Sequence, residues 1–116
     1  MSKRAAGGRK LTEAQILLGE HLRELVPHLT IEFEHIVSSD RKWRFDVAIP
    51  FYRWGFECNG HWQGHHGAGW SEGTEKLNHA QALGWRVFQF HNRDVLSGKA
   101  KSWIKKHLLG QKGREG

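Results

Sequence analysis

Between Arg44 and Asn59 the chain reads RFDVAIPFYRWGFECN, and no other stretch constrains the fold as tightly. Apolar side chains recur at every second position on both sides of Pro50, which is the period of a strand, and the proline between them marks a turn. A β-hairpin is therefore expected at the centre of the chain. In its first arm Trp43, Phe45, Val47 and Ile49 share a face, leaving Arg44, Asp46 and Ala48 on the other. In its second arm Trp54, Phe56 and Cys58 share a face, while Glu57 projects with Asn59. Pairing the two arms sets Asp46 beside Glu57.

Two convergent carboxylates on adjacent strands suit a hard divalent cation such as Mg²⁺, which takes oxygen ligands and keeps water for chemistry. Solvated acids on an open sheet face carry the same pattern, so the surrounding charge has to separate the two readings. Of the net charge of +6, residues 1–10 contribute +4 and residues 99–116 contribute +5, which leaves 11–98 at −3. An acidic centre between basic arms fits an enzyme that holds a cation with carboxylates and a polyanion with basic side chains. Lys101 and Lys105 in the last helix, and Arg44 beside Asp46, are the candidate phosphate contacts.

At 116 residues, with six Trp and six Phe, the chain has the material for one core. Residues 1–10 read as a mobile basic arm, 11–109 as a single domain and 110–116 as a mobile tail. The one cysteine, Cys58, excludes an intramolecular disulfide and fits a reducing compartment. No apolar run is long enough to span a bilayer, and the basic amino terminus lacks the apolar segment of a signal peptide. A soluble cytoplasmic protein is expected.

Thr12 is a good N-cap for a helix running to about Val26, stopped by Pro27, with Leu11, Leu18, Leu22 and Leu25 as its apolar stripe. Residues 30–36, TIEFEHI, alternate as a strand with Ile31, Phe33 and His35 opposed to Glu32 and Glu34. Ser38 to Asp40 form a turn, and the hairpin follows. Residues 60–73, rich in Gly and His, read as a loop. A second helix is expected over about Glu72 to Leu83, closed by Gly84. WRVFQF at 85–90 reads as a strand, and a last helix over about Gly98 to Leu109 turns Ala100, Trp103, Ile104 and Leu108 inward. The order is α-β-β-β-α-β-α.

This order, with Asp46 in FDVAIP, Glu57 in FECNG, the loop GHWQGHH at 60–66 and the unit EKLNHAQALGWRVFQF, resembles the restriction-endonuclease-like (PD-(D/E)XK) nuclease superfamily. Within it, the chain is similar to small phage and bacterial nucleases related to Holliday-junction resolvases, and to very-short-patch mismatch-repair endonucleases. The resemblance covers about residues 11–98. It implies an α/β fold with a mixed central sheet flanked by helices. It also implies a DNA endonuclease dependent on Mg²⁺ or Mn²⁺, acting on junctions or mismatches in repair, recombination or phage DNA processing, in a bacterium or a phage-infected cell. Junction cleavage would require a homodimer, whereas mismatch nicking would not.

Carried over, Asp46 is the first carboxylate of the metal site and Glu57 the second. The superfamily pattern places a lysine two positions after the second carboxylate, and here Asn59 stands there instead. Lys76 is the candidate replacement, because helical spacing puts it on one face with Ala80 and Leu83; the ordinary reading is a surface lysine paired with Glu72. Similar resolvases draw a glutamate from the first helix, which Glu13 matches best and Glu20 matches one face-repeat later. Glu75 is a further candidate ligand. In the loop, His65 or His66 is the candidate base or phosphate ligand, and Trp62, with His61, is the candidate contact to DNA.

Rival readings exist. Cys58, His61, His65 and His66 could form a zinc site, although alternation turns Cys58 toward the core. His66, Asn78 and His91 could be arranged as an HNH nuclease, although their element order is wrong for it. A nucleic-acid-binding module that keeps a nuclease fold without catalysis is the third, and Asn59 in place of lysine argues for it.

Overall fold

The computed structural model describes residues 10–37, 43–59 and 68–110, with the backbone alone for 68–72. The expected basic arm and tail, the turn at 38–40 and the loop carrying His61, Trp62, His65 and His66 lie outside the described residues.

Helix α1 (Glu13–Leu25) starts where Thr12 caps it. Thr12 Oγ1 accepts from the Gln15 N–H at 3.1 Å, and Gln15 Oε1 accepts from the Thr12 N–H at 2.8 Å. This reciprocal box satisfies two backbone donors that a helix start leaves without partners. Ala14, Leu18 and Leu22 then pack onto the sheet. The sheet has the order β1 (Glu32–Ile36), β2 (Arg44–Ile49), β3 (Trp54–Asn59), β4 (Arg86–His91). The first three strands are antiparallel, and β4 runs parallel to β3 after a crossover through α2 (Ala68–Ala82). Helices α3 (Asn92–Leu96) and α4 (Lys99–Ile104) follow, and α4 ends in a π-helical turn, Lys105–Leu109.

Both faces of the sheet are covered, so the molecule is layered helix, sheet, helix. On one face Leu18 and Leu22 of α1, Val95 of α3 and Ala100 and Ile104 of α4 enclose Val47, Ile49 and Phe56. On the other, Ala80 of α2 packs with Phe45, Ala48 and Trp85. The α/β class and the mixed, helix-flanked sheet agree with the sequence reading.

Three local expectations are corrected. Helix α2 begins at Ala68, inside the stretch read as loop to Gly73. The last helix spans the expected residues as α4 and its π-helical turn, but an additional helix, α3, precedes it, set off by Gly98 with φ +88°; a left-handed residue cannot continue a right-handed helix. Trp103 is 41% exposed instead of inward. Ala100 and Ile104, four apart, take the buried line of α4, and Trp103 falls to its side against Phe88, Phe90 and His107. Leu83 is likewise exposed, beyond the end of α2, where Gly84 supplies the expected left-handed stop with φ +92°.

The largest departure lies in the middle of the sheet. Phe33 and Val47, paired across β1 and β2, belong to the α1 side. The next pair but one, His35 and Phe45, belongs to the α2 side, where both rings meet Trp85 at centroid distances of 5.0 and 5.1 Å. Side-chain parity therefore inverts between these pairs, and Phe45 does not share a face with Val47 as simple alternation requires. The inversion falls on Glu34 and Asp46, which the register sets opposite each other, and Glu34 has φ +53°. Glu34, the irregular residue of β1, lies where the side chains change sides, as at a bulge.

Candidate active site

The β2–β3 register runs Ile49↔Trp54, Ala48↔Gly55, Val47↔Phe56. Extended by one residue it would oppose Asp46 to Glu57. Here carboxylates take over from ladder bonds. Asp46 Oδ2 accepts from the Cys58 N–H at 2.8 Å, and the Glu57 carboxylate accepts from the Asp46 N–H. Each acid thus holds the backbone beside the other.

The two carboxylates do not hang side by side from one face, as hairpin alternation expects. The inverted parity brings Asp46 to the α1 side, where Gln15 Nε2 donates to its Oδ1 at 3.1 Å. Glu57 keeps its expected side and meets α2, where Lys76 Nζ lies 2.7 Å from its Oε2. Lys76 also donates to the main-chain oxygen of Arg44 at 2.5 Å, and its ammonium lies 5.9 Å from the centroid of the Phe45 ring. The acids are close enough that the charge on Asp46 helps to raise the pKa of Glu57.

Burial is the main force on both. It pushes Asp46 up from the ordinary aspartate range, opposed by the Cys58 N–H, by the charge of Lys76 and by Gln15, and assisted by Glu34. It pushes Glu57 up as well, opposed by Lys76. Two carboxylates whose ionisation is disfavoured together form a site that a cation would relieve. Among the described residues, no group of three or more His, Cys, Asp and Glu side chains is arranged to hold a metal.

Gln15 and Glu34 escaped the sequence reading. Gln15 is 8% exposed and Glu34 7%, and Gln15 Nε2 donates to Glu34 Oε2 at 3.0 Å as well as to Asp46. A signal for Gln15 was present: it sits in the apolar stripe with Leu11, Leu18 and Leu22, and Thr12-x-x-Gln15 is a capping box. Glu34 had none, since alternation along β1 assigns it to the face opposite Phe33.

The other candidates are more scattered. Glu13 and Glu20 are exposed on α1, and it is Gln15 that reaches Asp46. Glu75 is exposed on α2. Asn59 ends β3, half-buried and paired in register with His91. His91 accepts from the Arg93 N–H through Nδ1 and so caps α3, while Asn78 is exposed. Lys101 is joined to Glu24 of α1, and Lys105 is exposed in the π-helical turn. Cys58 faces the core with Trp54 and Phe56, as alternation expects, and burial pushes its thiol up to about 12. A thiolate ligand is disfavoured there. A groove of about 420 Å³ lies along β4 and α4 between Phe88, Phe90 and Trp103, and neither acid lines it.

No protein-family model matches the sequence, and no curated protein matches it. Among solved structures, the chain is similar to the homing endonuclease I-Bth0305I catalytic domain, with a TM-score of 0.64 at 19% identity, over 85% of this chain and 96% of that one. The fold is that of an endonuclease catalytic domain. At this identity the likeness concerns the arrangement of helices and strands and leaves the chemistry to the residues. No helix among the described residues is long and apolar enough to cross a membrane.

Proposed function

We propose that this chain is a metal-dependent DNA endonuclease of the PD-(D/E)XK type. The observation that carries the reading is the meeting of Asp46, Glu57 and Lys76 where β2 and β3 stop exchanging ladder bonds. An acidic pair with an adjoining cation is what hydrolysis of a phosphodiester needs.

Asp46 and Glu57 would hold Mg²⁺ or Mn²⁺, and the donor set fits: hard oxygens, largely buried, whose charge the protein itself stabilises poorly. Bound there, such an ion supplies Lewis acidity toward a phosphate oxygen and acidifies water. The rest falls to this chain's own residues. Lys76 offsets the charge of Glu57 and places a positive group where negative charge would grow on the phosphate. Asn59, at the superfamily's lysine position, offers only a neutral amide, so Lys76 is the residue we assign to that role. His65 or His66 remains the candidate for proton transfer, Trp62 and His61 for base contacts, and Arg44 and Lys105 for phosphate contacts.

The test is direct. The purified chain is incubated with plain, mismatched and branched duplex DNA in Mg²⁺, Mn²⁺ or EDTA, beside Asp46→Ala and Glu57→Ala variants whose folding is checked by circular dichroism. Metal-dependent cleavage lost in both variants supports the proposal. Cleavage retained in either overturns the assignment. DNA binding without cleavage by the wild type would favour the non-catalytic module that Asn59 suggests. The preferred branch or mismatch, with the mass in solution, decides between a junction-cutting homodimer and a nicking monomer.

A further inference from the structure

One amide holds Asp46 from the α1 side, and that amide is fixed at both ends. Its oxygen accepts from the Thr12 N–H at 2.8 Å, and its nitrogen donates to Glu34 Oε2 at 3.0 Å and to Asp46 Oδ1 at 3.1 Å. The amide cannot be reversed, because a flip would set the NH₂ group against an N–H donor and the oxygen against two carboxylates. Its two hydrogens serve two acceptors, so the group is saturated. Glu34 is buried at the residue where parity inverts, with a left-handed φ of +53° that a side chain other than glycine adopts only at a cost.

We propose that Gln15, backed by Glu34, is the positioning residue of the site: it anchors one oxygen of Asp46 so that the other meets the Cys58 N–H and the carboxylate stands at the end of the β2–β3 ladder. This rests on the reading of Asp46 as a metal ligand. Gln15 acts through Asp46 and is not itself a catalytic residue. The capping box fixes the direction of its amide, so the start of α1 is coupled to the aim of Asp46.

Two conservative substitutions separate the parts. Gln15→Glu keeps an oxygen to accept from Thr12, so the helix start survives, but it removes the donor to both carboxylates. Glu34→Gln keeps an acceptor for Gln15. In the metal-free full-length chain, amide hydrogen exchange at Cys58 reads the anchoring of Asp46 without any cleavage assay. Exchange there should accelerate about tenfold in Gln15→Glu and stay within about twofold in Glu34→Gln, with the Phe56 amide as an unchanged reference. In cleavage, kcat should fall in Gln15→Glu with KM for DNA unchanged, and Glu34→Gln should retain most of the rate. Unchanged Cys58 exchange in Gln15→Glu overturns the proposal, as does a Gln15→Glu variant that cleaves as well as the wild type or better, because the amide would then occupy a ligand position. If the wild type cleaves no DNA, the nuclease reading fails alone, and the exchange result still decides whether Gln15 anchors Asp46.

Discussion

Lys76 Nζ lies 2.7 Å from Glu57 Oε2 and 2.5 Å from the Arg44 carbonyl oxygen, so one α2 cation spans the first residue of β2 and the fourth of β3. Both side chains are largely buried, at 19% and 16% exposure. Replacing Lys76 by Met leaves a carboxylate and a carbonyl without their donor. The expected loss is about 1–3 kcal/mol in urea unfolding of the metal-free protein. Adding Glu57→Gln should recover more than half of it, because no lone charge then remains. DNA cleavage by Lys76→Met should fall about a hundredfold or more if this ammonium offsets charge on the phosphate.

Stability should depend on pH through the same pair. Asp46 and Glu57 both have folded pKa values above their ordinary ones. A raised acid contributes stability that is fully present below its unfolded pKa, about 4, and that is lost as pH rises through the folded value. Relative to Glu57→Gln, the metal-free wild type should therefore lose stability as pH rises above about 4 and through the raised folded value of Glu57. Added Mg²⁺ should reverse the trend, since an ion binding the ionised pair stabilises more as pH rises. Melting temperatures of both proteins across this range, with Mg²⁺ and with EDTA, check the signs.

How much of this was legible in the sequence depends on whether the rule was local. The cap at Thr12, the alternation of Trp54, Phe56 and Cys58, the stop at Gly84 and the sheet-facing position of Lys76 follow from spacing and residue chemistry, and the described contacts agree with each. The parity inversion at Glu34 and Asp46 does not follow, because a period of two has no place for a slip set by one positive φ. That slip is why Asp46 reaches Gln15 of α1 while neighbouring Glu57 meets Lys76 of α2. Helix α3 was missed because its cap is His91, outside the usual Ser, Thr, Asn and Asp signals.

Cys58 should be chemically silent. With its thiol pushed up to about 12, almost none is thiolate at pH 8. Iodoacetamide should leave the native protein unlabelled over a period in which the urea-unfolded chain reacts fully, as mass spectrometry would report. In buffer without Mg²⁺, a chelator should leave the melting temperature of the protein as purified unchanged. A chelator-induced drop, with one zinc per chain in the purified protein, would instead favour the site built from Cys58 and the loop histidines.

Gly55 tests the inversion itself. A Cβ there would lie 2.6 Å from the Phe45 ring, which crosses over β3 because Phe45 has left the face of Val47. Phe45 is fully buried against Trp85, so it has no room to give. Gly55→Ala should therefore cost about 1–3 kcal/mol or more through overpacking, where most single methyl additions on a strand are mild. Phe45→Leu should partly relieve that cost, making the double variant more stable than the sum of the single changes predicts. If Gly55→Ala is neutral in urea unfolding, Phe45 does not lie over Gly55, and the turn of Asp46 toward α1 loses its backbone explanation.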